Sequence, residues 1–241
     1  MGPAQGGAQV IVANEKPLEE ILRMVQGYRR ILVLGCNTCT AVCLSGGERE
    51  ARQLASQIRG KAMIDGEEPQ VEASGVERQC EPEFLTEYLD DWRERFDLVV
   101  SLACGAGVQT LAELLEDRPV VPALNTAFIG SYQGDGTWVE MCKACGDCVL
   151  ERTGGICPVT RCAKGLLNGP CGGSQGGSCE VDPEKPCAWH LIYERLKRLG
   201  QLERLREFVP PKRWALDRKD GGPRKRVRRD VTLPAFREGI L

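Results

Sequence analysis

Thirteen cysteines stand in this chain of 241 residues beside a single histidine, His190. That imbalance restricts the chain more than any other feature. The count is odd, so complete disulfide pairing is impossible. The first fourteen residues, MGPAQGGAQVIVAN, have neither the basic start nor the apolar run of a secretory signal. No apolar stretch approaches the ~20 residues that cross a bilayer. A reducing, cytoplasmic compartment is therefore expected, where clustered thiols hold metal more often than they form disulfides. One histidine excludes, within one chain, zinc sites of two cysteines and two histidines, and Rieske centres. A Ser–His–Asp or Cys–His enzyme would have to be built around His190. Any metal sits largely on thiolate, which points to zinc or iron–sulfur. A net charge of -2 gives no global pull toward nucleic acid or membrane.

Residues 15–124 alternate between helical and strand-like patterns. KPLEEILRMVQGYRR places Leu18, Ile21, Leu22, Val25 and Tyr28 at the spacing of one helix face. RILVLGC is a short apolar run that fits a strand buried on both faces. GGEREARQLASQIRG predicts a helix ended by Gly60. Strand-like QVEASGV follows, then the helix of EPEFLTEYLDDWRERF with Pro82 in its first turn. DLVVSLAC, GVQTLAELLEDR and PVVPALN complete the pattern as strand, helix and strand. This order predicts an α/β fold with a parallel sheet covered by helices, resembling a flavodoxin-like or Rossmann-type half. Just past the first strand stand Cys36, Cys39 and Cys43. Cys80 follows the second strand, Cys104 the third and Asn125 the fourth. Ligands of open α/β sheets bind at the carboxyl ends of the strands, so all five N-terminal cysteines are expected on one sheet edge.

Residues 138–190 hold the other eight: Cys142, Cys145, Cys148, Cys157, Cys162, Cys171, Cys179 and Cys187. The segment from Thr153 to Cys187 is rich in glycine and proline and shows no long helix or strand pattern. Such a segment buries too little apolar area to offset its ordering entropy, and metal–thiolate bonds are the plausible compensation. Helical spacing returns over residues 188–208, with a break at Gly200. The expected organisation is an α/β domain over 1–130, a small irregular Cys-rich, metal-stabilised domain with a C-terminal helix over 131–208, and a basic extended tail over 209–241.

Cys142-x2-Cys145-x2-Cys148 is the sharpest motif. Three thiolates on one tight loop can cap three irons of a cubane, as in bacterial ferredoxins, where the fourth cysteine is followed by proline. Here Cys157 precedes Pro158, but eight residues separate it from Cys148. The fourth ligand stays open among Cys157, Cys162, Cys171, Cys179 and Cys187. Eight cysteines suffice for two four-thiolate sites, and zinc is the alternative metal. Cys36-x2-Cys39-x3-Cys43 is the second motif; with Cys104 or Cys80 it makes a four-ligand site, which leaves one cysteine spare. NGPCGGSQGG around Cys171 would let backbone N–H groups approach cluster sulfurs. It is not a phosphate loop: no GxxxxGK[ST] is present.

Between Pro210 and Leu241 ten Lys/Arg oppose four Asp/Glu, so the tail is +6 and the rest of the chain -8. The run RKRVRR from Arg224 has the composition of a nucleic-acid or localisation patch, but a short basic run in a tail is more often solvated or docked on an acidic partner. His190, beside Trp189, reads as a helix residue that packs at the metal domain and not as a ligand.

Five stretches together resemble a known family: GCNTCTAVCLSGGE (35–48), LVVSLACGAGVQ (98–109), PALNTAFIG (122–130), WVEMCKACGDCVLERTGGICPVTRCAKGLLNGPCGGS (138–174) and CAWHLIYERLKRLG (187–200). They resemble the small cysteine-rich subunit that partners the flavin-containing methylenetetrahydrofolate reductase of acetogenic and related bacteria, also classed as a C-terminal domain of that reductase. The resemblance covers about 30–210. It implies an accessory role in one-carbon metabolism and no catalysis by the chain alone. Two or three 4Fe-4S clusters, with zinc as a further metal, would pass electrons between a donor protein and the flavin of the catalytic subunit.

Overall fold

The computed structural model describes residues 11–216 together with 223 and 224. Strand β2 (Arg30–Cys36) shows why the first part folds as it does. Successive side chains of a strand point to opposite faces. Ile31 and Val33 accordingly enter one core with Ile21, Val25, Leu54 and Ile58, while Leu32 and Leu34 enter a second with Leu89, Trp92, Phe96 and Leu111. The first core lies under α1 (Leu18–Val25) and α3 (Glu48–Ile64). The second lies under α4 (Leu89–Arg95) and α5 (Gly105–Leu114).

β2 pairs in parallel with β3 (Gln70–Val76) on one side and with β4 (Leu98–Leu102) on the other. β5 (Val120–Pro122) continues beyond β4, also in parallel. The four-stranded sheet has the order β3-β2-β4-β5. In chain order that is second, first, third, fourth, the flavodoxin-like arrangement without its last strand. The fold is thus α/β with a helix-covered parallel sheet, and its topological switch falls at the carboxyl ends of β2 and β4.

Three details differ from the sequence expectation. A second sheet of three strands, β1-β6-β7, was not expected: β1 (Ile11–Glu15) runs antiparallel to β6 (Leu124–Gly134), which turns into β7 (Thr137–Cys142). β6 therefore runs through the 130/131 boundary expected from the sequence. The helix expected to stop at Gly60 runs on to Ile64, and Gly66, with φ +78, takes the left-handed position after its end. Residues 82–88 form 3₁₀ turns, Pro82–Phe84 and Thr86–Tyr88, before α4 begins.

The described residues divide into two compact units, one up to Trp138 and one from Val139 onward. The second holds two helices, the short α6 (Pro158–Arg161) and α7 (Ala188–Arg198). Its core is small: Cys187, Trp189, Ile192 and Leu196, flanked by Ile156, Cys162, Leu166 and Leu202. Gly169 has to be glycine because a Cβ there would collide with the Trp189 ring. Within residues 209–216, Val209 is hydrogen-bonded to the Asn168 side chain and Leu216 lies against Gly146. Most of the basic tail, including Lys225–Arg229, lies outside the described residues.

Candidate metal centres

All thirteen cysteines are unpaired thiols. In the first unit a buried amide aligns the sheet edge. Gln79 is fully buried; its Nε2 donates to the Leu34 carbonyl of β2 (2.9 Å), and its Oε1 accepts from the Ser101 hydroxyl of β4 (2.6 Å). The loop after β3 is thereby tied to both neighbouring strands, which places Cys80 beside their carboxyl ends. On the other side Thr40 donates to the carbonyls of Cys36 and Leu102. Gly46 has to be glycine, since a Cβ would strike the Leu102 carbonyl oxygen.

Cys36 ends β2 and is buried, Cys104 caps α5, and Cys80 is exposed. Burial pushes the Cys80 thiol up, and the neighbouring Cys104, Cys36 and Glu81 add to that against Arg78. Cys36 and Cys104, which follow two other strands, thus stand close enough to Cys80 to act on its thiol. Cys39 is half-buried at the first position of the short α2 (Cys39–Val42). Cys43 is engaged elsewhere, with the Thr40 carbonyl (3.4 Å), the Ser45 hydroxyl (3.1 Å) and the Ala13 carbonyl (3.8 Å). The sequence expectation left Cys80 and Cys104 as alternatives; here Cys80 has both Cys36 and Cys104 within electrostatic reach.

In the second unit Cys162, Cys171, Cys179 and Cys187 line one cavity of about 20 Å³, together with Leu166, Ser174 and Trp189. These four cysteines are consecutive in the chain. Lys164 pairs with Glu180 on its wall. Burial opposes ionisation of Cys187, but the Ser174 hydroxyl and the backbone N–H groups of His190 and Trp189 outweigh it, so the thiol lies below its ordinary value. Those donors are what a ligating thiolate needs. His190 is exposed on α7 beside Gly177, where a Cβ would stand 3.0 Å from its ring.

The remaining four, Cys142, Cys145, Cys148 and Cys157, flank a tight loop. Ala144 (φ +51) and Gly146 (φ +81) give it left-handed turns, and the Ala144 N–H points at the Cys142 sulfur (3.3 Å). Cys157 accepts from the Thr160 hydroxyl (3.4 Å). Among the described residues, no three His, Cys, Asp or Glu side chains already surround one metal-sized point. The donor chemistry nevertheless fits a thiolate-bound metal: four sulfurs share one cavity, and individual sulfurs already accept N–H and O–H bonds.

Sequence reading missed the residues that position these thiols. Gln79 lies outside every stretch singled out in the sequence, and Thr40 and Ser101 lie inside such stretches where only the cysteines stand out. Lys212 counts in the sequence as one charge of a basic extended tail, yet it is only 6% exposed.

The fold and sites define a class: an α/β domain with thiols at its sheet edge, joined to a small Cys-rich unit with little apolar core. Residues 121–215 match the family described as methylene-tetrahydrofolate reductase C terminal. That segment, which is similar to the C-terminal part of methylenetetrahydrofolate reductase, includes all eight late cysteines; Cys36, Cys39, Cys43, Cys80 and Cys104 lie before it. No curated protein and no solved structure matches the chain. Among the described residues no helix is long and apolar enough to cross a membrane.

Proposed function

We propose that the chain is an accessory iron–sulfur subunit of methylenetetrahydrofolate reductase, working in the cytoplasm and passing electrons to or from a flavin-bearing catalytic subunit. The observation that carries this reading is the placement of Cys36, Cys80 and Cys104 at or just past the carboxyl ends of β2, β3 and β4, where the strand order of the parallel sheet switches, on a chain whose residues 121–215 match a family of that reductase. Cys39 is the fourth ligand in this assignment and Cys43 the spare thiol. Cys142, Cys145, Cys148 and Cys157 form a second set, and Cys162, Cys171, Cys179 and Cys187 a third. Clusters held by such sets take up and release single electrons. The chain's own residues hold the thiolates in register, donate hydrogen bonds to their sulfurs and, through Trp189 and Leu166, keep water from the third set. In this reading the chain supplies no catalytic residue, and an electron-transfer protein serves as the other partner.

A second reading is a structural zinc module, for which Cys162, Cys171, Cys179 and Cys187 offer four thiols around one cavity. Anaerobic purification with the flavin subunit, followed by metal analysis, tests both. The first reading expects roughly 8–12 irons per chain and an absorption band bleached by dithionite. Near-stoichiometric zinc with negligible iron rejects it in favour of the second.

A further inference from the structure

The ammonium of Lys212 is the one buried side-chain nitrogen or oxygen without a hydrogen-bond partner among the described residues. Its nearest compensation is the Trp214 ring, 5.9 Å from Nζ to the centroid, at the limit of a useful cation–π contact. A charge removed from water in this way needs an anion.

The path of the chain indicates which anion. Residues 209–216 form a strap across the second unit. At one end the Asn168 amide holds Val209 by two hydrogen bonds, 2.7 and 2.8 Å. At the other end Leu216 packs on Gly146, where a Cβ would stand 3.0 Å from it. Arg224 fastens the same end by donating to the carbonyls of Ala144 (2.6 Å) and Leu216 (3.4 Å). Lys212 lies midway along a strap that ends on the Cys142–Cys148 loop. It does not line the cavity of Cys162, Cys171, Cys179 and Cys187, whose wall carries its own cation, Lys164, paired with Glu180.

We propose that Lys212 is the built-in counter-charge of an anionic tetrathiolate centre held by the Cys142–Cys148 loop. It favours the more negative state of that centre and clamps the strap once the centre is present. The inference rests on the thiolate–metal reading above. It requires only that four thiolates leave the centre negative, which iron–sulfur and zinc share.

The test uses the full chain, purified anaerobically, as wild type, Lys212→Met and Lys212→Arg, with Cys145→Ser to mark the signals of this centre. With iron present, Lys212→Met should favour the oxidised form of that centre by about tenfold, ~59 mV for one electron. Signals that persist in Cys145→Ser should not move, and Lys212→Arg should restore the wild-type value. Without metal, Lys212→Met should melt at or above the wild type, because it removes a buried charge; with metal it should melt below it. A potential unmoved by Lys212→Met, or a stability change equal in both forms, overturns the inference. If the wild type holds zinc and no iron, the electron-transfer reading fails on its own. Zinc release to a chelator then decides on Lys212: about tenfold faster in Lys212→Met and normal in Lys212→Arg supports it, and equal rates overturn it.

Discussion

Gln79 and Ser101 show how single side chains set the sheet-edge site. Ser101→Ala leaves a buried amide oxygen and the Ala103 N–H without their partner. It should cost ~1–3 kcal/mol in denaturant unfolding. Among the thiols, Cys80→Ser and Cys104→Ser should each lose one cluster's iron, whereas Cys43→Ser should keep it; iron counts per chain decide. Asp97 supplies a pH test. Arg30 donates to its Oδ1 from two nitrogens (2.6 and 3.1 Å), and that bonding holds the carboxyl below its usual range. A depressed carboxyl stabilises the fold above the unfolded value, near 4, and the contribution disappears as pH falls through the folded value. The melting-temperature gap between wild type and Asp97→Asn, both metal-free, should therefore be present at neutral pH and close in strong acid. Little of this was legible in the sequence. Cysteine spacing singles out Cys142–Cys148 and Cys36–Cys43 as candidate sites, because thiols on one loop are neighbours in the chain. Gln79 and Lys212 act through partners far away in sequence, and nothing local distinguishes a buried lysine from the exposed cations around it.

Elements were readable where burial is complete. β2 and β4 lie between two helical layers and appear as unbroken apolar runs. β6 is largely exposed or half-buried along its length and carries no clear alternation, so it was read only as the end of PVVPALN. The turn after it did carry a signal: Gly134-Asp135-Gly136 all have positive φ, and Asp-Gly is a preferred two-residue hairpin turn. The end of α3 was misplaced because a glycine is tolerated inside a helix whose tertiary packing holds it. The loop between α2 and α3 gives a prediction at this scale. Gly46→Ala would force the loop off the Leu102 carbonyl and separate Cys36 from its neighbours. Iron analysis should show the loss of the sheet-edge cluster, with the metal of residues 139–229 retained.

At the scale of the whole molecule, the two units depend on metal to different degrees. The first has apolar cores on both faces of its sheet. The second has four buried core residues for a segment of many glycines and prolines. Chelation should therefore loosen residues 139–229 first. Hydrogen exchange should accelerate there while the amides of β2 and β4 stay protected. In the assignment proposed above, the eight late cysteines fall into two consecutive runs, 142–157 and 162–187, with no interleaving. During synthesis each run can leave the ribosome complete before the next begins, so the two sets can be loaded in sequence without competing for the same thiols. The sheet-edge set has to wait until three strands have been made and paired. Lys212 emerges after all three, so its charge arrives last, as a latch on a centre that is already filled.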